Sequence, residues 1–443
     1  MHALLRMVLV CLACALPLAA RALGDAHFES VGDADSIPDN NVTALAQDPS
    51  GLLWIGTPNG LIRYDGYRFR RYARDRDNPD SLGGVFIRAL LVARDGRLWI
   101  GTDADGVSVY DPASGRFRPF RHQPGAAGSL AHDQVRALAE DGEGQIWLGT
   151  RMGLDRYDPE RDTFVHYRLR AASGGSVNDE RVFALLAGRA GDLWVGSWGG
   201  LMRMRAGSPD FEAVTGGADG TGPLAGQLIM SLYPLDHGRV AVGTAQAGSF
   251  LLDPASGLAH AMPTGLAHAP SATEALVLAM VQPTPDELWL GALGGIAVVD
   301  AHTGALRRRY LPDPSINSSL SNAQVRAFLI DQAGQIWIGG YSGGLQRHDP
   351  RNRAIRVLHH SPARESGLSS PSISSVLEAS DGLLWAGTRD SGIDLIDRER
   401  GVVRSLRPDT GHPGALGNGM VISLAQTADG AVYAGTLAGM YRY

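Results

Sequence analysis

A tryptophan-centred segment recurs nine times along this chain of 443 residues, and an internal repeat constrains the fold more than any other sequence feature. The fullest copies have the pattern Asp-x-Gly-x-Leu-Trp-Ile-Gly-Thr, followed by Gly-Leu and Tyr-Asp, and successive centres lie 45 to 48 residues apart. Seven of the eight tryptophans occupy the central position. The nine centres are Trp54, Trp99, Trp147, Trp194, Ala241, Trp289, Trp337, Trp385 and Tyr433.

Each unit has the pattern of four short strands. In the third unit these are Val135–Ala139, Gln145–Thr150, Leu154–Tyr157 and Phe164–Tyr167, and Gly, Asp and Pro turns separate them. Four antiparallel strands in about 47 residues, repeated, are typical of propeller blades, because a lone blade cannot bury both faces. The sequence therefore predicts an all-β propeller of nine such repeats.

The central tryptophan is predicted to be a structural wedge between adjacent blades. A glycine follows two residues later in every copy, as Gly56 and Gly101 do in the first two. Since a glycine inside a strand often marks the close approach of another backbone, we expect it to give the neighbouring blade room to pack.

The ring is predicted to contain seven blades over residues 23–353, with two further blades over 354–443. His27–Val31 resembles a fourth strand that precedes the first unit, and the chain ends at Tyr443 after a third strand. This offset would let the two ends of a ring meet in one blade. A single eight- or nine-bladed ring is the alternative.

Residues 1–22 are predicted to be a signal peptide, so the chain is expected in the periplasm or another extracytoplasmic space. An apolar run over Met7–Ala20 leads into Ala20–Ala22, which fits a cleavage site. An uncleaved anchor is the alternative. The two cysteines, Cys11 and Cys14, lie in this segment, so the mature chain would have neither a disulfide nor a thiolate metal site.

Charge and motifs argue against several functions. The formal net charge is −6, which disfavours a general nucleic-acid binder. All 40 basic residues are arginine. Gly340–Gly344 matches the hydrolase pattern G-x-S-x-G, but it lies between two blade strands, where the repeat explains it. The neighbouring His359 and His360 would point to opposite faces of a strand. Asp103–Gly106 has only the start of a calcium loop. We predict no catalytic residue, metal or cofactor.

A small molecule or oligosaccharide is the expected ligand. In such blades the second-to-third turns and the fourth-to-first loops share one face, and loops on a rigid scaffold favour recognition. An aromatic side chain with arginines around a ring suits a sugar or an anionic metabolite, although solvated turn residues are the alternative. The candidate contacts are Asp103, Asp105, Arg151, Trp198, Tyr341, Arg389 and Asp390.

Three arginines recur at one position of the first strand, which lies nearest the propeller axis. They are Arg88, Arg136 and Arg326. They would either line a positively charged channel or hydrogen-bond between blades, and the sequence leaves both interpretations open.

The repeat resembles that of the two-component regulator propeller family. The resemblance rests on segments such as Gly51–Thr57, Gly60–Leu61 and Arg63–Asp65, and it covers nearly the whole mature chain. The family's repeats form the extracytoplasmic input region of hybrid histidine kinases and of some diguanylate cyclases. The resemblance implies two seven-bladed propellers, a β-sandwich, a membrane helix and an output domain. This sequence has nine units and no kinase motif, so we expect the output to lie in a missing region or a signalling partner.

The expected function is therefore ligand sensing without enzymatic activity, with a homodimer as a possible assembly. One alternative is a propeller lyase or glycosidase, which would need carboxylates and histidines clustered at one mouth of the ring. The other is a protein-interaction scaffold, which would need an apolar patch on one face.

Overall fold

The computed structural model confirms the predicted all-β propeller fold. It describes residues 26–443 except 170–179, 189–190, 218–219, 263–275, 315, 322, 353–356, 361–366, 398–400, 410 and 413–414. Within these residues the strands form eight four-stranded sheets and one three-stranded sheet, and neighbouring strands are antiparallel. The predicted signal peptide and the boundary near residue 353 lie outside the described residues.

Strands are numbered in chain order, and each sheet is one blade. Blade 1 contains β2 (Ala44–Gln47), β3 (Leu53–Thr57), β4 (Gly60–Tyr64) and β5 (Phe69–Tyr72), and blade 2 contains β6 (Ile87–Val92), β7 (Leu98–Thr102), β8 (Val107–Asp111) and β9 (Arg116–Phe120). Blade 3 contains β10 (Val135–Glu140), β11 (Ile146–Thr150), β12 (Gly153–Asp158) and β13 (Thr163–Tyr167). Blade 4 contains β14 (Val182–Ala187), β15 (Leu193–Ser197), β16 (Gly200–Met204) and β17 (Phe211–Val214).

Blade 5 contains β18 (Ile229–Pro234), β19 (Val240–Thr244), β20 (Ser249–Leu252) and β21 (Ala259–Ala261). Blade 6 contains β22 (Val277–Thr284), β23 (Glu287–Ala292), β24 (Gly295–Asp300) and β25 (Leu306–Tyr310). Blade 7 contains β26 (Gln324–Ile330), β27 (Ile336–Tyr341) and β28 (Leu345–His348) with the N-terminal β1 (Glu29–Val31). Blades 8 and 9 contain β29 (Ile373–Glu378), β30 (Leu384–Thr388), β31 (Ile393–Asp397) and β32 (Gly401–Leu406); and β33 (Val421–Gln426), β34 (Val432–Thr436) and β35 (Gly439–Arg442). Two short 3-10 helices span Pro38–Asn40 and Asp236–Gly238.

The first seven blades close into a ring. The first strand of each blade packs against that of the next, and β26 of blade 7 packs against β2 of blade 1. The strand β1 supplies the fourth strand of blade 7, where Glu29 pairs with Arg347 and Val31 with Leu345. This ring is one compact unit over His27–Pro314 and Ser318–Arg351, and a second compact unit contains Asn352–Tyr443.

The tryptophans and glycines of the repeat lie where neighbouring blades meet. Trp54 is 2% exposed, and its ring centroid lies 5.1 Å from that of Tyr110 in blade 2. A Cβ added to Gly149 would lie 2.5 Å from a methyl carbon of Val182 in the next blade. A Cβ added to Gly339 would likewise lie 2.3 Å from Val42, where blade 7 meets blade 1. The glycines therefore let neighbouring blades approach one another.

In the described part of the chain, no helix has the length and apolar character that crossing a bilayer requires. No group of three or more His, Cys, Asp or Glu residues suits a metal ion there.

Candidate ligand-binding site

The second-to-third turns and the fourth-to-first loops meet on one face of the ring, here termed the turn face. Their backbones are hydrogen-bonded in successive blades. The N–H of Asp103 donates to the carbonyl of Phe86 at 3.0 Å, and the N–H of Trp198 donates to that of Arg181 at 3.0 Å. The turns are thus tied to the start of each first strand, which places them beside the ring axis.

A β-bulge interrupts the first strand of blades 2 to 7 at the same place. In blade 2, Ile87 pairs with Thr102 and Ala89 with Gly101, so Arg88 is the extra residue. Bulges redirect a side chain and are over-represented next to active sites. The bulge residues are half-buried, whereas Ile87 and its counterparts just before them are fully buried.

These residues define the bulge ring, which surrounds the axis at the turn face. Thr43 is its member in blade 1, where its N–H donates to the carbonyl of Gly56 at 2.9 Å. The other members are Arg88, Arg136, Phe183, Met230, Leu278 and Arg326.

The bulge ring has two chemically different halves. Blades 7, 1, 2 and 3 contribute the cationic arc, which consists of Arg326, Thr43, Arg88 and Arg136. Blades 4, 5 and 6 contribute the apolar arc, which consists of Phe183, Met230 and Leu278.

Aromatic rings support the arginines of the cationic arc. The guanidinium carbon of Arg88 lies 4.1 Å from the ring centroid of Phe86, and that of Arg326 lies 4.1 Å from Tyr341. The guanidinium of Arg136 lies 5.1 Å from Phe183. A guanidinium stacked on a ring keeps its in-plane N–H groups available for hydrogen bonds to an anion.

Asp103 is the carboxylate paired with the cationic arc. Its Oδ1 lies 2.9 Å from Nε of Arg88 and 3.8 Å from a terminal nitrogen of Arg136, and it accepts a hydrogen bond of 3.1 Å from Gln134. The side chains of Arg88 and Arg136 are 24% and 28% exposed. The pair between Arg136 and Asp103 joins blade 3 to blade 2.

Burial, together with positive neighbours, lowers the pKa of two of these arginines. Burial is the largest cause for Arg136, and the charges of Arg88, Arg181 and Arg151 act in the same direction, while Asp103 opposes them and raises that pKa. Burial is also the largest cause that lowers the pKa of Arg326. These shifts indicate that the positive charges here are crowded and only partly compensated.

Hydrogen-bonding capacity is left over in the cationic arc. The Nε atoms of Arg136 and Arg326 are buried and have no hydrogen-bond partner among the described residues. No carboxylate of the described chain lies within 4.0 Å of a nitrogen of Arg326. An unpaired buried donor costs free energy, and an anionic oxygen could satisfy it.

The structure places the predicted contact residues in different surroundings. Asp103 is part of the site, and Tyr341 supports Arg326. Trp198 is 46% exposed at the rim, where the guanidinium of Arg181 lies 5.2 Å from its ring centroid and Phe183 lies 6.3 Å from it.

Arg151 is exposed on the neighbouring turn. Asp105 instead pairs with Arg121 and with Arg74 of the fourth-to-first loop. Arg389 and Asp390 belong to the second unit, in which the N–H of Arg389 donates to Ser372 at 3.0 Å.

Sequence reasoning missed the apolar arc. Phe183, Met230 and Leu278 each lie eleven residues before a repeat centre, as do the three recurring arginines. Comparing that position across all the units would have revealed them.

Two open cavities lie elsewhere, at blade 2. One of about 390 Å³ is lined by Arg97, Arg116 and Tyr157, and one of about 330 Å³ is lined by Arg74 and Arg121. Arg97, Arg116, Arg74 and Arg121 are each paired with a carboxylate, as in the contact of 2.5 Å between Arg97 and Asp95.

Comparison with known proteins confirms the family resemblance. The family described as two component regulator propeller matches residues 36–59, 81–104, 129–152, 319–342 and 367–390. Histidine kinase P4 of Formosa agariphila is 29% identical over 107 residues, which are 23% of this chain and 8% of that protein.

Solved structures share the fold. The extracellular domain of a hybrid two component system from B. thetaiotaomicron matches with a TM-score of 0.76 and 22% identity, over 95% of this chain and 53% of that one. A virginiamycin B lyase from Staphylococcus aureus matches with a TM-score of 0.55 and 13% identity, over 73% of this chain and 99% of that one. The chain thus spans about half the length of that extracellular domain.

Proposed function

This chain is built from two-component regulator propeller repeats, and we propose that it is the ligand-sensing propeller of a bacterial signalling system outside the cytoplasm. The ligand is a small molecule or oligosaccharide that binds the turn face of the seven-bladed ring. The output belongs to another region or to a signalling partner.

The observation that carries the proposal is the bulge ring. Six successive blades of a closed ring have a bulge at the equivalent position of their first strand. Convergent polar and apolar groups on a rigid scaffold are typical of ligand sites. Among the described residues, the carboxylate that contacts the arginines of the bulge ring is Asp103, whereas a glycosidase would need a pair of carboxylates there.

A rigid ring transmits binding best through contacts with its partners, because packed blades do not deform continuously. Ligand at the turn face would change the contacts of that face with a second subunit or another domain. A homodimer is one such assembly.

A thermal-shift screen of the purified chain against sugars and organic anions tests the proposal. A sensor is expected to be stabilised by a ligand that is recovered unchanged. A ligand that is converted during incubation, detected by mass spectrometry, would indicate an enzyme such as a lyase instead. The absence of any stabilising compound, with bound protein partners recovered at the turn face, would favour a scaffold.

A further inference from the structure

We infer that the bulge ring binds an organic anion with an apolar body. The carboxylate, phosphate or sulfonate of the ligand contacts the cationic arc, and its body lies on the apolar arc. This inference rests on the proposed function, and it specifies the chemical class of the ligand.

The charge balance favours an anion. The cationic arc contains three guanidinium groups, and among the described residues one carboxylate, Asp103, pairs with them, which leaves two positive charges of this set uncompensated. Arg151 lies on the adjoining turn, where its N–H donates to the carbonyl of Gln134. Partial burial weakens screening by water, so the attraction for an anion is stronger here than on an open surface.

The geometry of the donors favours a planar or tetrahedral oxyanion. Because Arg88 and Arg326 lie over aromatic rings, their orientation is restricted before a ligand arrives. The buried Nε atoms of Arg136 and Arg326 have no partner, and an oxyanion can accept from such edges in pairs.

The apolar arc disfavours a neutral sugar. Phe183, Met230 and Leu278 offer no side-chain hydrogen-bonding group that could replace the water around ligand hydroxyls. An alkyl or aryl body gains free energy on the same surface, and Phe183 joins the two arcs because it also supports Arg136.

Isothermal titration with 4-phenylbutyrate tests the inference directly. Acetate serves as the anion without a body, and 4-phenylbutanol serves as the body without a charge. Phenylbutyrate is expected to bind about tenfold more tightly than either control, which corresponds to one charge-assisted contact. Equal binding of phenylbutyrate and phenylbutanol, or no binding of phenylbutyrate, would overturn the inference.

Substitutions locate the site. Arg326→Gln is expected to weaken phenylbutyrate binding roughly tenfold. Arg116→Gln is the matched control, because Arg116 is a 70% exposed arginine on the outer strand of blade 2. Equal affinities of the two variants would place any binding outside the bulge ring and contradict the inference.

Quenching of Trp198 fluorescence in the native chain tests the positive charge at the bulge ring without any substitution in the cationic arc. The other tryptophans are at most 5% exposed, so ionic quenchers reach Trp198 selectively. Relative to N-acetyltryptophanamide in the same solutions, iodide is expected to quench Trp198 more and caesium less, and phenylbutyrate is expected to reduce this difference. Trp198→Phe should remove the quenched component. The same iodide-to-caesium ratio as for N-acetyltryptophanamide would contradict the inference, whereas stabilisation by a neutral sugar in the earlier screen would leave the sensor function intact.

Discussion

At the scale of single residues, the position of one aspartate decides whether the central tryptophan is hydrogen-bonded. The indole N–H of Trp147 donates to Oδ2 of Asp141 at 2.7 Å, and Asp141 lies six residues earlier. Trp54 and Trp337 have the same arrangement. Ala93 stands at that position before Trp99, whose indole N–H has no partner among the described residues.

Asp141→Ala is expected to destabilise the chain by about 1–3 kcal/mol, because it leaves a buried indole donor unpaired. Asp95→Ala in the neighbouring blade is the control, since Asp95 bonds its own turn and Arg97 but no indole. The free energies of unfolding from urea titrations compare the two. If Asp95→Ala lowers the free energy of unfolding as much as Asp141→Ala does, the stabilisation comes from the turn and not from the hydrogen bond to the indole.

At the scale of elements, the glycine of the second strand sets the distance between blades. Gly149 has no room for a methyl group, since the added Cβ would also lie 2.9 Å from Cβ of Val182. Gly435 occupies the same position in blade 9, where an added Cβ would meet chiefly the hydroxyl of Ser423 at 2.7 Å.

Gly149→Ala should therefore cost about 1–3 kcal/mol through overpacking. Gly435→Ala should cost clearly less, because a serine hydroxyl can rotate away. Thermal unfolding of both variants beside the parent chain provides the comparison. If Gly149→Ala unfolds at the same temperature as the parent chain, blades 3 and 4 are not in close contact at this glycine.

Buried polar groups on third strands anchor the loops of the turn face. Asp155 is fully buried, its Oδ2 accepts from the N–H of Ala131 at 2.8 Å, and its Oδ1 lies 2.7 Å from Nδ1 of His166. Asp394 accepts from the N–H of Ser369 in the equivalent place of blade 8. Burial, the largest cause, raises the pKa of Asp155, although the bonds from Ala131 and His166 oppose it.

Asp155→Asn should gain stability relative to the parent as the pH rises. A carboxyl whose pKa is raised on folding stabilises the fold below its unfolded pKa, near 4, and this contribution is lost as the pH rises through the folded pKa. Asparagine keeps an acceptor for Ala131 and avoids the buried charge. Urea titrations between acid and neutral pH measure the difference in the free energy of unfolding, and a constant difference would show that folding does not shift the pKa of Asp155.

At the scale of the whole molecule, an N-terminal strand closes the seven-bladed ring. Nε of Arg347 lies 2.8 Å from Oε2 of Glu29, a residue 318 positions away. Phe28 is 2% exposed, and its ring centroid lies 5.3 Å from Tyr310 and 6.4 Å from Trp289. The N-terminal segment thus joins blades 6 and 7.

Phe28→Ala is expected to destabilise the ring by about 3–5 kcal/mol, the usual cost of truncating a buried phenylalanine. Tyr67→Ala is the control, because Tyr67 is 86% exposed. Circular dichroism during urea unfolding follows both variants. An effect of Phe28→Ala no greater than that of Tyr67→Ala would mean that the closing strand contributes little to stability.

The blade could be predicted from the sequence because its determinants are local. The period of short strands, the tryptophan at each centre and the glycine two residues later repeat within every unit, so nine copies reinforce one interpretation. The candidate site could be predicted only in part. Arg88 and Asp103 stand out as charged residues near the axis, whereas Met230 and Leu278 have the composition of ordinary core residues.

The amino-acid pattern alone therefore specified the blade, its strand order and its packing positions, since these depend on neighbours within about 50 residues. The closure of the ring after seven blades, and the meeting of the arginines with the apolar arc around one axis, depend on contacts between distant segments. The number of blades that closes the ring depends on the sum of the small rotations between successive blades. That sum cannot be inferred from the sequence of a single repeat.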